Sequence, residues 1–127
     1  MSLPNVTIND DDLLYRRLHH TRVYEDGSVK SIAYMFNSRP DPEVSVDLAR
    51  LTTPEEAAGR GKPGTGLGEI VTSVPRALGF QVEYRPLPEN PAHSQIEGHN
   101  TKALCKQLAE ATQMILMPQK ISNAPTE

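Results

Sequence analysis

Two alternating segments constrain the fold of this 127-residue chain more than any other feature. In the first, Val44, Val46 and Leu48 alternate with Ser45, Asp47 and Ala49. In the second, Phe80, Val82 and Tyr84 alternate with Gln81, Glu83 and Arg85. A period of two gives an extended chain one apolar and one polar face, so each segment reads as a half-buried strand. A buried strand face needs neighbours and a cover. A sheet with helices on one face is therefore the architecture to expect.

The helices announce themselves by their caps. Thr53-Pro54-Glu55-Glu56 is the clearest start: Thr53 can cap, Pro54 fits the first helical position, and Glu56 completes a capping box. Gly59 and Gly61 end that helix. Asn100 or Thr101 caps a longer one over about 101–113, where Ala103, Leu104, Leu108 and Ala111 form an apolar stripe. Met114-Ile115-Leu116-Met117 extends it or forms a final buried segment, and Pro118 ends regular structure. Near the N-terminus, Asn9-Asp10-Asp11-Asp12 offers a cap and acidic residues for the positive end of a helix dipole. Leu13, Leu14, Arg17 and Leu18 follow at helical spacing. The expectation is a short helix over about 10–20, with a strand from Leu14 to Leu18 as the competing reading.

Asp26-Gly27 separates Thr21–Tyr24 from Val29–Phe36 as a hairpin turn would. The second arm is expected to be a central strand, because Ile32, Tyr34 and Phe36 share one face and the other face is also partly apolar. Leu67 to Val74 and His93 to Gly98 read as further strands. The fold class is thus α+β: about five strands in a mixed or mainly antiparallel sheet, with two or three helices, the longest at the C-terminus. Phe80, Val82, Leu104, Leu108 and Ile32 are expected to meet in one core. Residues 1–9 are expected as a flexible lead-in, 10–118 as a single domain and 119–127 as a disordered tail.

Thirteen Lys and Arg stand against sixteen Asp and Glu, a net charge of −3. That balance gives no bulk attraction to nucleic acid or an anionic membrane, and leaves nucleic acid only to a local basic patch. The opening MSLPNVTINDDD has neither a basic nor an apolar region, so no secretory signal is expected. No apolar run approaches the ~20 residues that span a bilayer, and no membrane partner is expected. The single cysteine, Cys105, excludes an internal disulfide and suits a reducing cytoplasm.

Candidate chemistry is sparse. Gly64-Thr65-Gly66-Leu67-Gly68 lacks the trailing Lys-Ser/Thr and the helix of a phosphate loop, and reads as a mobile loop. His19, His20, His93 and His99 match no zinc spacing, and Cys105 has no cysteine partner, so no metal and no cofactor is expected. Arg16, His19, Ser45 and His93 are the catalytic candidates. An arginine can grip a phosphate, a histidine can move a proton, and Ser45 lies opposite the apolar face of its strand. Structural roles are the simpler account of all four. No Gly-x-Ser-x-Gly or His-Glu-x-x-His run supports a named hydrolase. The Pro-rich 86–93 loop is the candidate binding segment, with Leu87 and His93 at its ends supplying contact area.

Leu14-Tyr15-Arg16-Arg17, Asp26-Gly27, Ser45-Val46-Asp47, Arg76-Ala77-Leu78-Gly79 and the run from Asn90 to Gly98 carry a resemblance. Over roughly 13–117 the chain resembles a set of small bacterial single-domain proteins. The resemblance implies a bacterial, cytoplasmic, single-domain protein and brings no catalytic residue with it. Tyr15-Arg16 is also similar to the first motif of ADP-ribosyl-transferring folds, whose glutamate and paired-serine motifs have no counterpart here. The expected function is that of a binding or accessory protein acting with a larger protein partner, in a defence or toxin-type locus. The alternative is a small enzyme directed at a nucleotide or RNA, using Arg16, a histidine and Ser45.

Overall fold

Both alternating segments become strands of an α+β fold. The computed structural model describes residues 6–120. Its strands are β1 (Leu13–Leu18), β2 (Met35–Phe36), β3 (Arg39–Pro40), β4 (Glu43–Leu48), β5 (Gly66–Val71), β6 (Gln81–Tyr84), β7 (His93–Glu97) and β8 (Gln113–Leu116). Six of them form one antiparallel sheet in the order β6-β7-β4-β1-β5-β8, while β2 and β3 pair with each other. The helices are α1 (Pro54–Gly59), α2 (Ser73–Ala77) and α3 (Lys102–Ala111). Among the described residues, no helix is long and apolar enough to cross a membrane.

The caps behave as their chemistry dictates. Thr53 Oγ1 accepts from the Glu56 N–H at 3.2 Å, and Thr101 Oγ1 accepts from the Leu104 N–H at 3.1 Å. Only half of the expected capping box forms at α1, because the Glu56 carboxylate accepts from Thr52 Oγ1 at 3.4 Å instead. The inner face of the sheet carries Leu14, Leu18, Val44, Val46, Leu48, Ile70, Val82 and Ile96, all buried. Cys105, Leu108 and Ala109 of α3 cover that face in one core that also holds Phe80 and Tyr34. Tyr15 and Leu67 lie on the outer face, under Ala57 of α1.

Several expectations are corrected. The helix over 10–20 is instead β1, the competing reading, with a turn before it in which the Asp12 N–H donates to the Asn9 carbonyl at 3.0 Å. Of the acidic run that resembles a helix start, Asp12 accepts the Asn9 N–H at 2.7 Å and pairs with Arg50, and Asp10 pairs with Arg76. β1 then pairs with β4 on one side and β5 on the other, and those two ladders outweigh a short helix's local preference. The Asp26-Gly27 turn exists, with Gly27 at φ +90°, but it joins a single bridge between Val23 and Val29. The central strand expected over Val29–Phe36 is a 3-10 turn over Ser31–Tyr34 followed by the short β2. That turn buries the consecutive pair Ala33 and Tyr34, so Ile32 stays 43% exposed and leaves the expected core, whereas Leu104 packs against it.

The glycine-rich segment is a loop only in its first part. Gly66 and Gly68 belong to β5, where a Cβ would meet Pro118 N at 2.5 Å and Thr112 Cγ2 at 2.6 Å respectively. Close passage of the C-terminal segment accounts for these two glycines. Met114 to Met117 is not a helical extension: Met114 to Leu116 lie in the edge strand β8, where Met114 packs against the core while Ile115, Leu116 and the following Met117 are exposed. Of the expected lead-in, Ile8 is buried and its carbonyl accepts from Arg76 Nη2 at 2.8 Å. Residues 1–5 of the lead-in and 121–127 of the tail lie outside the described residues.

Candidate functional site

Adjacent residues on a strand point to opposite faces, and this separates the catalytic candidates. Arg16 shares the inner face with Leu14 and Leu18. Its Nε and Nη2 donate to the Ala33 carbonyl at 3.1 and 2.8 Å, and its Nη1 donates to the Ser45 carbonyl at 2.8 Å. Its guanidinium lies 5.8 Å from the centre of the Tyr34 ring. Burial holds its pKa below the ordinary arginine value, with the Tyr34 and Asp41 charges acting the other way. Arg16 therefore meets Ser45 at its backbone. The side chains of Ser45 and His93 lie on the outer face, alternating with buried Val44, Val46, Ser94 and Ile96. His93 shares that face with Gln95 and Glu97, as alternation along a strand over His93 to Gly98 requires.

His19 caps the 3-10 turn at His20–Arg22, where its Nδ1 accepts from the Thr21 N–H at 3.3 Å. His93 Nδ1 lies 2.8 Å from the Arg85 carbonyl, which fixes the ring beside the β6–β7 connection. Cys105 is buried, with Sγ 3.4 Å from the Tyr34 carbonyl, and burial pushes its thiol pKa up. A thiol in that state is a poor nucleophile.

The centre of the outer face is a carboxylate that is not among the catalytic candidates read from the sequence. Asp47 is fully buried. Its Oδ2 accepts from Arg17 Nη1 at 2.6 Å and lies 3.6 Å from Arg60 Nη1. Its Oδ1 accepts from Asn90 Nδ2 at 2.8 Å. The position of Asp47 on the polar parity of β4 was a legible signal. Nothing local announced Asn90 or Arg60, which reach it from distant loops.

Through Asn90 this network holds the 86–93 loop. Asn90 Oδ1 accepts from the Ala92 N–H at 3.2 Å, and Leu87 and Asn90 exchange backbone hydrogen bonds of 3.0 Å. Tyr84 donates its hydroxyl to the Pro91 carbonyl at 2.7 Å. Arg85 closes the strand end by pairing with both oxygens of Glu97, at 2.9 and 3.1 Å. The loop is thus tied from beneath and from both ends, while Leu87 stays 37% exposed.

A surface cleft of about 460 Å³ lies to one side, lined by Pro42, Glu43, Gly79, Gln81, Glu97 and Gly98. None of Arg16, His19, Ser45 or His93 lines it. Among the described residues, no group of three His, Cys, Asp or Glu side chains is placed to hold a metal ion. No family model, curated protein or solved structure matches the chain.

Proposed function

We propose that this is a binding or accessory protein that acts with a larger protein partner, docking through the 86–93 loop. The supporting observation is that the loop is ordered in advance yet exposes an apolar side chain. The buried Asn90–Asp47 bond and the Tyr84–Pro91 bond fix its path, and Leu87 remains open to contact. A segment ordered before its partner arrives loses less entropy on binding. The contact surface is an exposed leucine between prolines, with His93 at its base. That chemistry suits a protein surface better than a small ligand, which would seek an enclosed apolar pocket. On this reading the protein is bacterial and cytoplasmic, and its partner is encoded beside it, as in a defence or toxin-type locus.

A second reading, an enzyme directed at a nucleotide or RNA, draws support from one observation. Ser45 and His93 share their face with Arg17, which stands where the sequence had suggested Arg16. One experiment separates the two readings. The chain is co-expressed with the protein encoded beside it, and the purified chain is assayed for turnover of nucleotides and RNA. Leu87→Asp and His93→Ala are expected to reduce co-purification, with no turnover by the wild type. Undiminished co-purification of Leu87→Asp overturns the docking loop. Wild-type turnover that His93→Ala slows ~100-fold, the size expected for a lost general acid or base, makes the protein an enzyme.

A further inference from the structure

Arg17 and Arg60 reach the same carboxylate oxygen from different parts of the chain, one from β1 and the other from the end of α1. Asp47 Oδ2 carries one negative charge for two guanidiniums. Asn90, the other side chain bonded to Asp47, is neutral. Glu56 is the only other acid within ion-pair range of Arg60 among the described residues, with Oε2 4.0 Å from Nη2, and it is 63% exposed. Water therefore screens most of its effect. At this point of the outer face one buried and one exposed carboxylate stand against two guanidiniums.

Each guanidinium makes its hydrogen bonds through one nitrogen. Arg17 Nη1 donates to Asp47 and to the Ala57 carbonyl at 3.2 Å, and Arg60 Nη1 donates to Thr52 Oγ1 at 3.0 Å. Among the described residues, Nε and Nη2 of both arginines make no hydrogen bond. The two side chains are only 25% and 26% exposed, so they are held in place rather than waving in solvent. Two fixed guanidiniums with unused donors, side by side, match the oxygens of a tetrahedral dianion. Ser45 shares this face on the neighbouring strand and offers a hydroxyl.

We propose that Arg17 and Arg60, held by Asp47, form a binding site for the phosphoryl group of a small phosphate ester. Asp47 lies beneath the guanidiniums and sets their spacing, and the ligand takes the donors on the solvent side. The site shares Asp47 with the tie that holds the docking loop, but Arg60→Gln leaves the Asn90–Asp47 bond in place and Leu87→Asp leaves both arginines in place, so either can fail without the other.

The test titrates the full chain with inorganic phosphate, adenosine 5′-monophosphate and adenosine at constant ionic strength. Arginine Nε–Hε resonances are followed by NMR. Saturable shifts of Arg17 and Arg60 with both phosphate-bearing probes, and none with adenosine, are expected. A tighter response to the monophosphate than to inorganic phosphate would show that the ester group adds contacts. Arg60→Gln should weaken binding about tenfold or more, the loss expected for charge-assisted hydrogen bonds. Arg39→Gln, a change at an exposed arginine elsewhere, should leave it unchanged. Arg60 is used because it lies farther from Asp47 than Arg17 does, and thermal unfolding checks that the variant is folded. Shifts that do not saturate, that chloride reproduces, or that persist undiminished in folded Arg60→Gln overturn the site.

Discussion

Asp47→Ala removes the charge on which the outer face is organised. The carboxylate accepts a charge-assisted bond from Arg17 at 2.6 Å, of a kind that contributes about 1.5–3 kcal/mol. It also accepts the Asn90 amide at 2.8 Å, a neutral donor contributing about 0.5–1.5 kcal/mol. Deletion leaves the Asn90 amide buried without that acceptor. Arg17 is one-quarter exposed and recovers some hydration, so its share falls below that of a fully buried partner. The expected loss is about 2–4 kcal/mol, roughly 8–16 °C in Tm for a chain of this length. Urea unfolding followed by circular dichroism measures it. Because Asn90 shares the bond, Asp47→Ala and Asn90→Ala should be non-additive by at least ~0.5 kcal/mol. Amide exchange at Leu87 and Asn90 should quicken in either variant, since the loop loses its tie. A loss under about 1 kcal/mol, or additive single changes, would refute the argument that Asp47 holds this loop.

Three further outcomes follow from the geometry. Leu108→Ala, at a fully buried position of α3, should cost about 2–5 kcal/mol in urea unfolding, and a near-neutral result would mean that α3 docks through another face. Ser38 sits at φ +66° after Asn37 at +51°, so Ser38→Gly should raise stability by up to about 1 kcal/mol, and a fall would contradict the left-handed turn. Burial raises the Asp12 carboxyl pKa, but the Asn9 N–H and the Arg50 guanidinium outweigh it and hold the net value below the ordinary one. Its stabilisation is then complete above the unfolded aspartate value of about 3.9 and lost as pH falls through the lower folded value. The stability gap between wild type and Asp12→Asn should therefore close below about pH 4, and a gap that is unchanged at pH 2 would refute this.

The candidate site was legible only in its parts. Ser45, Asp47, His93 and Gln95 could be assigned to the polar side of their strands from alternation alone. Helical spacing put Arg17 on the same face as Leu14 and Leu18, whereas strand alternation puts Arg16 there. In a strand they part company. Arg16 goes to neutral carbonyls on the inner face and Arg17 to the buried Asp47 on the outer. Arg60 and Asn90 had no sequence signal, because their roles depend on where α1 ends and how the 86–93 loop returns.

By itself, the sequence determined the elements whose stabilising groups are local. Thr53 and Thr101 each supply a cap oxygen within three residues of the amide they serve, and the alternation in β4 and β6 follows from strand geometry alone. Only the tertiary structure decided the segments whose local preferences were weak or contradictory. β1 exists because β4 and β5 flank it, and Ser31–Tyr34 turns because α3 needs Ala33 and Tyr34 buried together. β8 lies at the edge because its far side has no ladder partner among the described residues. A ladder partner, a buried counter-ion and a free edge are properties of neighbours brought together by folding, and no window of sequence around the residue contains them.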